Sequence, residues 1–151
     1  MLSRTQPYPW SRAVYEAHKC IFNLVACDNE FQKACAKFLG AAEDVKAFSK
    51  LPEVSGFAVD YTDGGNLRSY YPDFVAIEQE ELHWLLETKG QETEEVKHKD
   101  RAATLWCENG SLLTRKPWRY LKVPQKEFEK LQPESLAEVA VLQLSRKGEP
   151  P

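Results

Sequence analysis

The stretch "RSYYPDFVAIEQEELHWLLETKG", residues Arg68 to Gly90, decides the fold. It contains two short runs rich in aromatic and aliphatic residues, separated by an acidic turn, which is typical of two β-strands joined in a hairpin. Pro72 removes a hydrogen-bond donor from the first strand, so it indicates an edge, a bulge or a bend. The two predicted strands carry three charged residues that are not required to form a sheet, namely Asp73, Glu87 and Lys89.

The register of this hairpin determines whether the three charges meet. If the loop is centred on Glu80, residues whose numbers sum to 160 lie opposite each other, so Asp73 faces Glu87. Alternation along the strand then places Lys89 on the same face as Glu87. Opposed carboxylates repel each other, so we expect a cation between them. A loop centred between positions 79 and 80 instead puts Leu86 opposite Asp73 and turns Glu87 to the other face.

A simpler interpretation of the same residues needs no site. In it Pro72 interrupts an edge strand, Asp73 caps a turn, and Glu87 and Lys89 are solvated neighbours at a strand end. An isolated proline–aspartate pair is usually of this kind. Here both patterns occur on consecutive strands, with an apolar run before the second, and this favours a functional site.

The rest of the chain alternates helices and strands. Ser11 begins a predicted helix in "SRAVYEAHKC", and Asp28 begins an amphipathic helix that ends at Gly40. "VKAFSKL", "FAVDY" and "RSYYPDFVAI" indicate successive strands of one antiparallel sheet, and "LHWLLETK" is a fourth, central strand because it is apolar on both faces. A helix in "TEEVKHKDRAATLWCEN", a strand in "WRYLKVP" and a short helix in "QKEFEKLQ" follow. The predicted fold class is α/β, with a central mixed sheet flanked by helices.

Composition favours one main domain. The chain has 151 residues, of which 42% are hydrophobic, enough for a single core. We predict an N-terminal extension or connecting segment with a helix at 1–27, the main domain at 28–145 and a frayed tail at 146–151. The sequence contains neither a signal peptide nor a membrane span, so we expect a soluble, cytoplasmic protein. Its four cysteines form no CxxC pair, which is typical of reduced thiols.

The motifs "YPDF" and "LLETKG" resemble the signature of the PD-(D/E)xK nuclease superfamily. With "DVKAFSKLP", "KDRAATLWC" and "WRYLKVP", the chain is similar to the C-terminal endonuclease domain of type III restriction enzymes from about Asp28 to Leu131. This resemblance implies a restriction-endonuclease-like αβββαβ core. It also implies Mg²⁺-dependent hydrolysis of DNA phosphodiester bonds.

The resemblance also implies roles for individual residues. Asp73 and Glu87 would hold the metal, the carbonyl of Thr88 would complete its shell, and Lys89 would act on water. Mg²⁺ prefers such oxygen ligands, and we expect Mn²⁺ to substitute for it. Lys89 is either a general base or an electrostatic stabiliser, and the sequence leaves both open. The family often has an acidic residue on its first helix, where this chain has Gln32. Glu30, two positions before Gln32, is the other candidate for this auxiliary role.

Contacts to DNA need local positive charge, because the formal net charge of the chain is −3. Lys99 lies beside the inward stripe of its predicted helix, where it either reaches a phosphate or extends along the helix edge. The segment "LLTRKPWRYLKVPQKEFEK" is basic, and Arg115 and Lys116 are its candidate backbone contacts. The region from Glu78 to Glu95 is strongly acidic, so we expect DNA binding to depend on metal.

Two hypotheses of different class follow. The first is a metal-dependent endonuclease that works with a separate ATP-dependent translocase or DNA-recognition subunit, since the sequence contains no GxxxxGK phosphate loop. The alternative is a non-catalytic nucleic-acid-binding or scaffolding domain that retains the nuclease fold. A third possibility is a piece of a longer restriction subunit, with residues 1–27 as its connecting segment. The oligomeric state is open, and a dimer is compatible with the sequence.

Overall fold

The computed structural model describes residues 7, 9–22, 24–89 and 94–147. Its elements run in chain order as β1 (Val14–Glu16), β2 (Leu24–Ala26), α1 (Glu30–Ala41), β3 (Val45–Lys50), β4 (Val59–Asp63), β5 (Asn66–Tyr70), β6 (Phe74–Glu78), β7 (His83–Lys89), α2 (Glu94–Thr114), β8 (Trp118–Pro124), α3 (Gln125–Leu131) and α4 (Leu136–Lys147).

The central sheet has four strands in the order β3-β6-β7-β8. Strand β6 pairs antiparallel with both β3 and β7, whereas β8 runs parallel to β7. With α1 before β3 and α2 between β7 and β8, the order is αβββαβ. The predicted α/β fold class, a mixed sheet flanked by helices, is confirmed. The prediction that β7 is central is also correct, and its first four residues are buried.

Apolar residues cover both faces of this sheet. On one face Phe74 and Leu121 pack with Leu39 of α1 and Leu136 of α4. On the other face Leu85 packs with Ala103 of α2 and with tyrosines of β4 and β5. Alternation along β7 therefore directs even-numbered side chains toward α1 and odd-numbered side chains toward α2. This division decides where the charged end of β7 points.

The N-terminal segment does not form the predicted helix. Residues 14–16 and 24–26 are instead a two-stranded antiparallel hairpin, with Val14 opposite Ala26. Side chains of this segment join the main core, with Val25 and Cys27 fully buried. Lys19 donates hydrogen bonds to the carbonyls of Ala42 and Val45, at 2.8 and 3.0 Å. These contacts between distant residues override the helical preference of alanine, glutamate and lysine in "SRAVYEAHKC".

The prediction of successive strands in one antiparallel sheet is also wrong. Among the described residues, strands β4 and β5 pair only with each other, as a separate hairpin whose turn contains Gly64 and Gly65 at positive φ. The run "RSYYPDFVAI" is two strands, because positions 71–73 leave the extended ladder at Pro72. The chain therefore returns to the central sheet only at Phe74, and Asp73 lies at that entry point.

Helix α1 differs from its prediction at both ends. Asn29, and not Asp28, caps it, and its side chain accepts a hydrogen bond from the Gln32 backbone at 2.8 Å. The helix continues through Gly40 to Ala41, since the next residue turns into extended backbone. The predicted domain boundary at 27/28 stays a prediction. Of the predicted tail, positions 146 and 147 belong to α4 and the rest lie outside the described residues.

In the part of the chain that the structure describes, no helix combines the length and the apolar character that a membrane span requires. All four cysteines are free thiols, and three of them are buried.

Candidate nuclease site

The register of the β6–β7 hairpin is the one predicted for a loop centred on Glu80. Phe74 pairs with Leu86 and Val75 with Leu85, so paired residue numbers sum to 160. Asp73 lies just before the paired residues, and its backbone N–H donates to the carbonyl of Leu86 at 3.2 Å, one position out of this register. The alternative register, centred between positions 79 and 80, is wrong for the paired residues 74–77 and 83–86.

The carboxylate of Asp73 is buried and held by several donors. Its Oδ1 accepts a hydrogen bond from the Gln32 side-chain amide at 2.9 Å. Its Oδ2 accepts from the Thr88 backbone N–H at 2.8 Å and from the Thr88 hydroxyl. The Nζ atom of Lys50 lies 3.9 Å from Oδ1. Burial raises the pKa of Asp73 above its usual value, while Lys50 and Thr88 act in the opposite direction. Asp73 is therefore a preorganised acidic group at the edge of the sheet.

The carboxylate of Glu87 lies on the α2 face and lacks such support. Its Oε2 atom is buried and has no hydrogen-bond partner among the described residues. Burial, and then the negative charge of Asp73, raises the pKa of Glu87 to about 8, against the opposing effect of Lys89 and Lys99. A buried acceptor without a donor is costly, typically about 1–3 kcal/mol. The site therefore favours a proton or another cation on Glu87.

Two lysines flank Glu87 on the α2 side. Lys89 follows Glu87 on the same face of β7 and is half-buried. Lys99 of α2 places its Nζ atom 3.3 Å from Glu95 and about 6 Å from the ring centres of Tyr61 and Tyr70. The structure thus brings Asp73, Glu87, Lys89 and Lys99 to one end of the sheet.

The other candidate residues separate into two groups. Gln32 contacts Asp73 directly, so the first helix does contribute to the site, although with an amide. Glu30 is exposed in the first turn of α1. Arg115 and Lys116 precede β8 at the opposite end of the sheet, where Lys116 lies 3.8 Å from Glu81 in the β6–β7 turn. Seven residues of β7 place this turn about 20 Å from Lys89.

Lys50 and Tyr70 are two further polar residues of this region that the sequence did not indicate. Lys50 ends β3 and is only 7% exposed, and its ammonium lies between Asp28 and Asp73. The hydroxyl of Tyr70 is buried without a partner among the described residues. Both residues occur in runs that predict ordinary strands, and only the packing of distant segments brings them together. No signal in the sequence distinguishes them from other strand residues.

Among the described residues, the site contains few side chains of the types that bind metal ions. Within residues 7–147, less the undescribed positions, no three side chains of histidine, cysteine, aspartate or glutamate come together as a metal-binding group. Two carboxylates from adjacent strands, Asp73 and Glu87, are the acidic pair that the fold provides.

A mixed sheet between helices, in αβββαβ order, is compatible with a restriction-endonuclease-like fold. The family model described as an endonuclease domain matches residues 18–111. The chain therefore belongs to the endonuclease domain family and is a nuclease. The matched part contains Lys50, Asp73, Glu87 and Lys89, and it ends before Arg115. No curated protein and no solved structure matches the chain.

Proposed function

We propose that this nuclease is a metal-dependent endonuclease of the PD-(D/E)xK type that hydrolyses phosphodiester bonds of DNA. The observation that carries the proposal is the Glu87 carboxylate, which is buried beside Asp73 and has an oxygen without a hydrogen-bond donor. Mg²⁺ is the expected ion, and Mn²⁺ is expected to replace it.

The donor set fits a hard divalent cation. Mg²⁺ takes oxygen ligands and usually needs only one or two carboxylates, because water and substrate phosphate fill the other positions. Asp73 and Glu87 would hold the ion, with the Thr88 carbonyl as a third donor. Burial of Glu87 near a second carboxylate raises the pKa of Glu87. A cation bound there would offset the negative charge that burial makes unfavourable. When bound, it supplies a Lewis acid that activates water and offsets charge on the phosphate.

The residues around the two acids have separate tasks in this proposal. Gln32 and Thr88 fix the Asp73 carboxylate through three hydrogen bonds and so fix its orientation. Lys89 orients the attacking water and stabilises the charge that develops on the phosphate. Lys99 adds a positive charge on the α2 side of Glu87. Hydrolysis then adds water across the phosphorus–oxygen bond and leaves a phosphate monoester and a hydroxyl.

The partners of such a domain are proposed from the lack of an ATP-binding motif in the sequence. The chain contains no GxxxxGK motif, so we propose that DNA translocation and recognition come from a separate ATP-dependent translocase or reader subunit. A type III restriction-like system in the cytoplasm is the setting that the sequence resemblance suggests. Arg115 and Lys116, at the far end of the sheet, are proposed contacts to DNA or to that subunit.

The decisive experiment compares wild type with Glu87→Gln, which keeps the shape of the side chain. We expect wild type to nick supercoiled plasmid DNA in Mg²⁺ or Mn²⁺ but not in a chelator. The variant should lose cleavage by about a hundredfold or more, because it removes charge where the transition state needs it. The matched control is Glu81→Gln, on the exposed turn at the other end of β7. Cleavage by Glu87→Gln at the wild-type rate would refute the proposed role of this carboxylate.

A second candidate function is a non-catalytic nucleic-acid-binding or scaffolding domain. It is favoured by one observation, that both oxygens of Asp73 already accept hydrogen bonds from the protein. A ligand on Asp73 would have to share these oxygens. Wild-type protein that binds DNA but does not nick it in either metal, with a translocase partner supplied, would support this second function over the first.

A further inference from the structure

Lys50 is a buried cation whose ammonium has no acceptor at hydrogen-bonding distance among the described residues, although it lies 5.8 Å from the ring centre of Phe74. The residue is 7% exposed, and its Nζ atom lies 3.9 Å from Asp28 Oδ2 and 3.9 Å from Asp73 Oδ1. Both separations exceed hydrogen-bonding distance, and no other acceptor among the described residues is within it. An ammonium has three N–H donors, so leaving all of them without an acceptor in a buried place is unfavourable. The arrangement indicates that a further oxygen ligand belongs at Lys50.

The space for this ligand is an open cleft beside the acids. The cleft has a volume of about 570 Å³, and Trp10, Arg12, Asp28, Lys50, Tyr71 and Asp73 are among its lining residues. It therefore contains two cations, an exposed tyrosine ring and the carboxylate of Asp73. A cleft of this size accommodates a nucleotide unit of a nucleic-acid strand.

The charges of the cleft decide when an anion can enter. Arg12 pairs with Asp28 at 3.2 Å and Lys50 balances Asp73, while Glu53, which also lines the cleft, adds a further negative charge. A phosphate approaching this set meets no net attraction. If a divalent cation compensates Asp73, the positive charge of Lys50 becomes available to an anion.

We propose that Lys50 binds a backbone phosphate of the nucleic-acid substrate in this cleft when the charge of Asp73 is compensated by a bound divalent cation. The inference rests on the proposed function and identifies a substrate-binding residue within it. It couples the two ligands, because metal on the acids strengthens the phosphate contact of Lys50. By linkage, DNA strengthens metal binding equally.

Lys50→Met tests this role, because it keeps most of the apolar stem and removes the charge. Removing a cation from beside Asp73 makes the site more negative, so Ca²⁺ affinity measured by calorimetry should equal or exceed that of wild type. Affinity for a fluorescent DNA duplex in Ca²⁺ should fall about tenfold, as expected for a charge-assisted hydrogen bond. The slope of log affinity against log salt should decrease by about 0.9, the value for one phosphate contact.

The matched control is Lys46→Met, on the same strand but exposed and 2.9 Å from Glu81. It should change neither the Ca²⁺ affinity nor the salt slope. The double variant Asp28→Asn/Lys50→Met keeps the local charge balance, so it replaces the single variant if that variant does not fold. It should show the same reduced slope of log DNA affinity against log salt. Melting curves establish that each variant is folded.

The outcomes separate this inference from the function on which it rests. Stronger or equal Ca²⁺ binding together with weaker DNA binding supports Lys50 as a phosphate ligand, since a misfolded site would lose both. A wild-type salt slope in Lys50→Met, or parallel loss of Ca²⁺ and DNA affinity, overturns it while leaving the nuclease in place. Wild-type protein that binds no DNA in Ca²⁺ overturns the proposed function and this inference together.

Discussion

The ionisation of Glu87 links the site to stability. In the folded chain its pKa is raised from 4.5 to about 8, first by burial and then by Asp73. Below pH 4.5 Glu87 is protonated in both the folded and the unfolded chain, and its full contribution to stability is present. Between the two values only the unfolded chain releases the proton, so the contribution is lost as the pH rises and is absent above about 8.

We therefore expect the metal-free protein to become less stable from about pH 5 to about pH 8.5, by on the order of a few kcal/mol from this residue. Urea denaturation in a chelating buffer measures the effect. Glu87→Gln removes the titrating group and should flatten the dependence by that amount, and the difference between the two proteins cancels the contribution of Asp73. Equal pH slopes in both proteins would mean that Glu87 ionises as easily in the folded chain as in water.

At this scale the sequence predicted the acids and not their surroundings. The shared face of Glu87 and Lys89 follows from strand alternation, a local property of one short stretch, whereas Asp73 lies just outside the paired residues of the hairpin. Lys50 comes from another strand and gains its position through the pairing of β3 with β6. Lys50 is buried through tertiary packing, so the sequence pattern does not predict its burial.

At the level of secondary-structure elements, helix α1 and strand β1 approach each other closely where Gly40 meets Tyr15. A Cβ atom on Gly40 would lie 2.6 Å from the hydroxyl oxygen of Tyr15 and 3.4 Å from two of its ring carbons. A side chain at this helical position would therefore have to displace the hydroxyl, since 3.4 Å is close to ordinary contact. Gly40 lies inside the helix, and not at the end that its residue type predicts.

Gly40→Ala should consequently have opposite effects in two backgrounds. In wild type the new methyl group displaces Tyr15, so any gain in helix stability is offset or reversed. In Tyr15→Phe the hydroxyl is gone, and alanine should stabilise by up to about 1 kcal/mol through its higher helix propensity. Urea denaturation of the four proteins in this double-mutant cycle gives the coupling energy. Additive effects of the two substitutions would show that the hydroxyl and the helix do not compete for the same space.

The errors at element scale have a shared physical cause. The segment at 11–20 and the β4–β5 hairpin each lie where local preference and long-range packing differ. Strand β1 exists because it pairs with β2 and packs on α1, and β4–β5 covers α2 without joining the central sheet. The strands and helices with a strong apolar pattern, β7 and α2 among them, were predicted correctly because packing and preference agree there.

At the scale of the whole molecule, a single residue connects distant parts of the chain. Asp44, which precedes β3, accepts hydrogen bonds at the start of α4 from the backbone N–H groups of Leu136 and Ala137, at 3.0 and 3.1 Å. These partners are 92 and 93 positions away. The carboxylate adds to the local N-cap, in which the Ser135 hydroxyl accepts from the Glu138 backbone N–H at 3.3 Å, and its negative charge interacts favourably with the positive end of the helix dipole. Helix α4 then covers the core with Leu136 and Val139, both fully buried.

This connection lies far from the acids, so it should affect stability without affecting the site. Strand β3 separates Asp44 from Lys50 by six positions, or about 20 Å. We expect Asp44→Ala to lower the free energy of unfolding by about 1–2 kcal/mol, with Asp44→Asn intermediate because an amide presents only one acceptor. Divalent-ion affinity and plasmid nicking at a temperature where the variant is folded should equal those of wild type. A loss of ion affinity in folded Asp44→Ala would show instead that the α4 connection holds the acidic edge in place, some 20 Å across the sheet.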